Sequence, residues 1–71
     1  MTDSIATTIE IQFSVADAHA HAASTSHAYA ARAMKRGNIG RMIEHTLDAN
    51  AFENLAYSAT RIALSLGGVD A

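Results

Sequence analysis

Alanine dominates one stretch of this chain and limits what it can fold into. Between Ala16 and Ala33, nine of the eighteen residues are alanine, and the only large side chains are three histidines, Tyr29 and Arg32. Alanine is the best helix former and a poor strand former, so the stretch predicts a helix. A helix with so few bulky apolar side chains cannot fill a core by itself. We therefore expect it to lie very close to another element, within the chain or in a second copy.

Length and composition bound the class of protein. Seventy-one residues predict a single small domain, residues 1–71, near the size at which one core is marginal and self-association is common. Cysteine is absent, which excludes disulfides and thiolate zinc sites within this sequence and fits a cytoplasmic chain. The first residues carry an acid and no basic segment, and polar side chains interrupt every long apolar run. We expect no signal peptide and no membrane span.

The N-terminal segment follows a period of two. One face of residues 5–13 carries Ile5, Thr7, Ile9, Ile11 and Phe13. This alternation predicts a half-buried β-strand. Because the chain has no second convincing strand, we expect this one to pair with its copy across the twofold axis of a homodimer. The alternative is an unrecognised second strand in the alanine-rich region.

A helical hairpin is predicted to follow the strand. Ser14 is a suitable N-cap for a first helix over about Val15–Lys35, and Gly37 is placed to end that helix as a C′ glycine. The next helical pattern begins at Asn38 or Ile39. Basic residues occupy the last turn of the first helix, where they complement the negative end of its dipole.

The number of helices after Gly37 stays open. Asn50 with Glu53 three residues later has the spacing of a capping box, which would start a third helix ending near Leu66. The apolar spacing fits one continuous helix, Ile39–Leu66, equally well. The predicted fold class is therefore α+β and mainly helical, with one N-terminal strand followed by two or three helices.

The few aromatic residues are expected in the core. Phe13, Phe52 and Tyr57 supply volume that the alanines leave empty. Tyr29 is the exception, because it lies near Arg32 and can present its hydroxyl group to a partner.

Histidine is frequent, but its spacing does not predict chemistry. On a helix, His19 and His21 point about 200° apart and cannot chelate one ion. Asp17 and His21 are one turn apart on a helix. This spacing suits a shared metal ion, but it suits a simple hydrogen bond between the two side chains as well. No catalytic triad, paired carboxylates or glycine-rich phosphate loop is present. We expect no enzyme activity, no metal and no cofactor.

The best candidate for a binding site is a basic cluster. Four of the five cationic residues lie between positions 32 and 41, namely Arg32, Lys35, Arg36 and Arg41. Together with Tyr29 they are predicted to bind a partner. Charge patches of this kind steer association and set partner choice.

The order of the predicted elements resembles a known family of DNA-binding proteins. A strand, a helix, a Gly37-Asn38 turn and a second helix follow the order of ribbon-helix-helix repressors and antitoxins, whose paired strands enter the major groove. The resemblance implies DNA contacts from the outward strand residues Thr8 and Gln12. Glu10 departs from the family's pattern, because an acid on that face opposes the phosphates.

The function expected from these observations is protein binding. A net charge of −2 gives no overall attraction to nucleic acid. We expect a small non-enzymatic module or inhibitor that occupies the surface of a protein partner, as phage-encoded inhibitors such as anti-CRISPR proteins do. The alternative is a ribbon-helix-helix-like DNA-binding protein, and nucleic acid is expected as a partner only in that case.

Overall fold

Two long antiparallel helices joined by a short turn make up the structure. The computed structural model describes residues 2–67, with side chains from Ser4 onward; α1 spans Thr2–Lys35 and α2 spans Ile39–Gly67. The Cα atoms extend over 54 × 19 × 12 Å, so the hairpin is a rod two helices wide and one helix thick. Within residues 2–67, neither helix is long and apolar enough to cross a membrane.

The predicted N-terminal strand is wrong. Residues 5–13 belong to α1, and residues 2–67 contain no strand, so the fold is all-helical rather than α+β. The same segment fits two periods, because Ile5, Ile9, Gln12 and Ala16 also follow the 4-3-4 spacing of a helix that packs on another. A helix satisfies its backbone hydrogen bonds within one segment, whereas a lone strand needs a partner strand. The dimer paired through this strand is excluded with it.

The helices contact each other along a line of mostly small residues, here called the alanine seam. Its positions are spaced alternately by three and four residues, the repeat of a coiled coil. All of them are buried or half-buried. In α1 they are Ile9, Gln12, Ala16, His19, Ala23, Ser26, Ala30 and Ala33; in α2 they are Met42, His45, Ala49, Phe52, Ala56, Ala59 and Ala63.

Alanine supplies nearly all of the buried positions. The buried residues are Ser26 and seven alanines, at positions 16, 23, 30, 33, 49, 59 and 63, and no large side chain among the described residues is fully buried. Methyl-sized side chains let two helix backbones approach closely, so that dispersion contacts replace the volume of larger residues. The close approach expected for the alanine-rich stretch is therefore confirmed, and it lies within one chain.

Most of the large apolar residues that the structure describes consequently lie outside the seam, whereas Ile9, Met42 and Phe52 are half-buried on it. Tyr57 is 63% exposed and Phe13 is 42% exposed, so their predicted places in a core are wrong; Phe52 is half-buried on the seam. The fully buried positions of the seam hold only alanine and Ser26, because larger side chains there would push the helices apart. The exposed large apolar residues are Ile5, Ile11, Phe13, Val15, Tyr29, Met34, Ile39, Ile43, Leu47, Leu55, Tyr57, Ile62 and Leu66.

The turn between the helices is built from two capping motifs, a Schellman motif that ends α1 and an N-cap at Asn38 that begins α2. The Gly37 N–H donates to the Met34 carbonyl at 3.0 Å and the Asn38 N–H donates to the Ala33 carbonyl at 2.9 Å, which is the Schellman pattern. Gly37 has a φ of 75°, a conformation that L side chains adopt only with strain. The predicted roles of Gly37 as C′ residue and of the following residues as the start of α2 are confirmed.

The second helix is continuous. Asn50 and Glu53 lie inside α2, so their capping-box spacing does not start a third helix. Glu53 instead contacts α1, where its Oε1 atom lies 2.6 Å from Nε2 of His27. The continuous alternative, Ile39–Leu66, matches the observed α2 to within one residue.

A substitution of one seam alanine tests this packing. Ala30 is 7% exposed on the seam, whereas Ala28 on the same helix is exposed. We expect Ala30→Leu to lower the free energy of unfolding by about 1–3 kcal/mol through overpacking. Ala28→Leu should change it by less than about 0.5 kcal/mol. Urea unfolding followed by circular dichroism at a fixed chain concentration measures both, and equal effects of the two variants would contradict the seam.

Candidate functional site

The turn end of the hairpin carries a basic cavity, here called the arginine pocket. Its volume is about 410 Å³. Arg32 reaches it from the last turn of α1, Arg36 from the residue that follows α1, and Arg41 from the first turn of α2. The full lining is Tyr29, Arg32, Ala33, Arg36, Asn38, Arg41 and His45. The two capping motifs fix the turn and so hold cationic residues of both helices around one space.

An aromatic contact positions part of the lining. The Arg32 guanidinium carbon lies 5.7 Å from the centroid of the Tyr29 ring, within the range of a cation–π interaction. On the other helix, the His45 ring lies 5.4 Å from the Tyr29 ring, centroid to centroid, at 43°. Tyr29 therefore links α1 to α2 and orients Arg32. A cation–π contact does not neutralise the charge of the guanidinium.

The positive charge of the pocket comes from its side chains. The C-terminus of α1 and the N-terminus of α2 lie at the same end, so the opposite partial charges of the two helix dipoles largely cancel there. No hydrogen bond or ion pair in residues 4–67 joins Arg32, Arg36 or Arg41 to a carboxylate. The nearest acids along α2, Glu44 and Asp48, are not among the lining residues. The pocket therefore presents three guanidinium groups without a counter-charge in its lining.

The structure brings together most of the predicted partner-binding residues. Tyr29, Arg32, Arg36 and Arg41 all line the arginine pocket, whereas Lys35 is exposed and does not. Arg36 follows the last residue of α1, and its N–H still donates to the Arg32 carbonyl at 3.2 Å. Successive side chains in this geometry point about 100° apart, which separates Lys35 from Arg36.

Sequence reasoning missed three lining residues, of which Asn38 and His45 are polar and Ala33 is apolar. The place of His45 could have been predicted from the sequence. A helical hairpin that turns at Gly37 brings together residues that are the same number of positions before and after Gly37. Tyr29 and His45 are both eight residues from Gly37. Asn38 was assigned only to the start of α2, and its place beside the cavity follows from its position in the turn.

Thr8 and Gln12, the residues predicted to contact DNA from a strand, lie in helix α1. Thr8 is exposed on α1, and its Oγ1 atom donates a hydrogen bond to the Ser4 carbonyl at 2.8 Å. Gln12 is half-buried on the alanine seam. Neither residue projects from a strand, so the basis of the ribbon-helix-helix resemblance is lost, and we do not propose that mode of DNA binding.

Three of the four histidines make contacts between the helices. His19 stacks on Phe52 with 6.1 Å between ring centroids, His27 bonds Glu53, and His45 contacts Tyr29. The described residues contain no group of three or more His, Asp or Glu side chains able to hold a metal ion. These histidines therefore act as contacts between α1 and α2.

The chemistry of the arginine pocket suits carboxylate binding. Guanidinium groups donate paired hydrogen bonds to carboxylates, and such charge-assisted bonds are roughly twice as strong as neutral ones.

Comparison with protein families, with curated proteins and with solved structures finds no match to this chain. The function is therefore inferred from the geometry of the chain itself.

The cap of α2 offers a test of how the pocket is built. The Oδ1 atom of Asn38 accepts a hydrogen bond from the Arg41 N–H at 3.1 Å, so Asn38 is the N-cap. We expect Asn38→Ala to lower the free energy of unfolding by about 1 kcal/mol, because that N–H loses its acceptor. Asn38→Asp keeps an acceptor and should stay within a few tenths of a kcal/mol of wild type. Urea unfolding measures both, and an unchanged stability of Asn38→Ala would contradict the cap.

Proposed function

We propose that this chain is a non-enzymatic protein-binding module that acts by occupying an acidic surface of a partner protein. The observation that carries the proposal is the arginine pocket, where Arg32, Arg36 and Arg41 converge without a carboxylate in the lining. A partner that brings one or more Asp or Glu side chains into this cavity of about 410 Å³ would supply the missing counter-charge.

The charge distribution favours a protein partner over nucleic acid. A nucleic acid is an extended polyanion, and its binding requires a basic surface that follows the backbone. Here four of the five cationic residues are concentrated at the turn, whereas the fifth, Arg61, and acids such as Glu10 and Glu53 lie farther along the rod. Such a surface suits a compact group of carboxylates better than a long phosphate backbone.

The lining also supports a binding role rather than catalysis. It consists of guanidinium groups, a phenol, an amide and an imidazole, with Ala33 as the apolar member. No serine, threonine or carboxylate of the lining stands beside His45 to form a nucleophile and base pair. Inhibition of the partner is one form of this proposal, in which the occupied acidic surface is needed for the partner's own activity.

The experiment begins by finding the partner at the pocket itself. Tyr29 is replaced by a photo-crosslinking phenylalanine derivative in the full chain, and the crosslinked protein is identified by mass spectrometry from cells that produce the chain. The purified partner is then titrated against the wild-type chain by calorimetry. We expect the crosslinked peptide of the partner to contain Asp or Glu.

Two neighbouring charge reversals provide matched variants for that titration. Arg36 lines the pocket and Lys35 does not, although both are cationic and adjacent in sequence. Arg36→Glu should weaken binding at least tenfold, which corresponds to about 1.4 kcal/mol. Lys35→Glu should change it less than about threefold, as expected for a charge outside the contact. Equal losses from the two variants, or no loss from Arg36→Glu, would refute the pocket as the binding site.

A further inference from the structure

A second apolar stripe runs along each helix beside the alanine seam. In α1 it consists of Ile11, Val15, Ala18, Ala22 and Thr25, and in α2 of Ala51, Leu55, Ser58, Ile62 and Ser65. Both stripes have the 4-3-4-3 spacing that the seam itself has. Their large members are exposed, with 55% of Ile11 and 49% of Leu55 accessible to solvent. Each helix therefore repeats, on a second side, the pattern by which it packs on its neighbour.

The two stripes lie on the same side of the hairpin. Residues seven apart lie on one side of a coiled coil. In α1, Val15 and Ala22 lie fourteen and seven residues before Tyr29. In α2, Leu55 and Ile62 lie fourteen and twenty-one residues after Arg41. Tyr29 and Arg41 both line the arginine pocket, so the stripes extend from the side of the rod that carries the pocket. The contact between His27 and Glu53 lies on the other side.

Charged residues are absent from the two stripes. Asp48, seven residues before Leu55, lies on the same side but between the α2 stripe and the turn. The other side of the rod carries Glu10, Asp17, His27 and Glu53. Because the stripe residues carry no charge, burying them does not incur the large free-energy cost of removing an ionised side chain from water. Large residues such as Leu55 and Ile62 alternate with small ones such as Ala18 and Ser58, which lets two such surfaces interdigitate.

The exposed surface of the hairpin is larger than a compact monomer would have. Its accessible area is 5130 Å², whereas a compact protein of 7.5 kDa has about 4,200 Å². The excess of about 900 Å² is close to the roughly 800 Å² that each partner contributes to a stable protein interface. The radius of gyration is 15.8 Å, compared with about 11 Å for a compact 71-residue domain. A second hairpin would supply the core that one hairpin lacks.

We infer that a second copy of this chain covers the two stripes, so that two hairpins form a four-helix bundle. The same surface is used by both copies, as twofold symmetry requires. An antiparallel arrangement of the two rods overlaps their stripes and keeps the cationic turns at opposite ends. The arginine pockets then stay separated, and their charges do not oppose assembly. This assembly is independent of the acidic partner proposed for the pocket.

Sedimentation equilibrium of the full chain from 1 to 500 μM tests the bundle without any partner. We expect the wild-type chain to sediment as a dimer over the upper part of this range. Leu55→Glu should weaken the dimer at least a hundredfold, because it places a charge within the interface. The matched control is Leu47→Glu, at an exposed residue outside both stripes, which should change dissociation less than threefold. A wild-type monomer at 500 μM, or equal effects of the two variants, would overturn the inference.

A second measurement uses variants that disturb the helices little. The chain has no cysteine, so Ser58→Cys on the stripe and Asn54→Cys outside it each introduce a single thiol. We expect the rate of thiol modification at position 58 to fall at least tenfold as the chain concentration rises through the dimerisation range. The rate at position 54 should stay constant. Equal rates at both positions, or no dependence on concentration at position 58, would overturn the inference.

Discussion

The close contact between α1 and α2 through alanine is the interaction on which the rest of the structure depends. Alanine and serine at the buried positions of the seam allow the two backbones to approach, whereas the larger seam residues are only half-buried. Most leucine and isoleucine side chains and both tyrosines therefore remain on the outside of a two-helix rod. The hairpin gains dispersion contacts from its close spacing, but buries little of the apolar surface that normally stabilises a domain of 71 residues. The same packing that forms the hairpin thus leaves it with apolar surface for further assembly.

The turn that makes this contact possible also creates the basic end of the molecule. A Schellman motif at Gly37 and an N-cap at Asn38 reverse the chain within three residues, so the cations at the end of α1 face the first turn of α2. Arg36 and Arg41 therefore line the same pocket, although neither helix alone brings all three pocket arginines together. The arginine pocket and the apolar stripes then occupy different segments of one side of the rod. The proposed acidic partner and the proposed second copy would therefore not compete for one surface.

Local sequence signals predicted the end of α1, both ends of α2 and the close packing. They did not predict the start of α1, because Ser14, the predicted N-cap, lies inside that helix and residues 2–13 form no strand. Gly37 and the alanine-rich stretch act through local geometry, which the sequence shows directly. Ile5 and Ile9 fit a period of two and a coiled-coil repeat equally well, and the choice depends on whether a strand or a helix is available as partner. That information belongs to the tertiary structure. The four basic residues were recognisable as a cluster, but the separation of Lys35 from Arg36 follows only once both helices and the turn are in place.

Nuclear Overhauser effects between the helices provide the most direct test of the alanine seam. The account predicts effects between the ring protons of His19 and Phe52, and between those of Tyr29 and His45, in one antiparallel register. Because both pairs lie within one chain, the effects should persist at full intensity per labelled molecule when labelled chain is mixed with excess unlabelled chain. Loss of these effects on mixing, or their absence from the undiluted sample, would contradict the hairpin and the seam that holds it together.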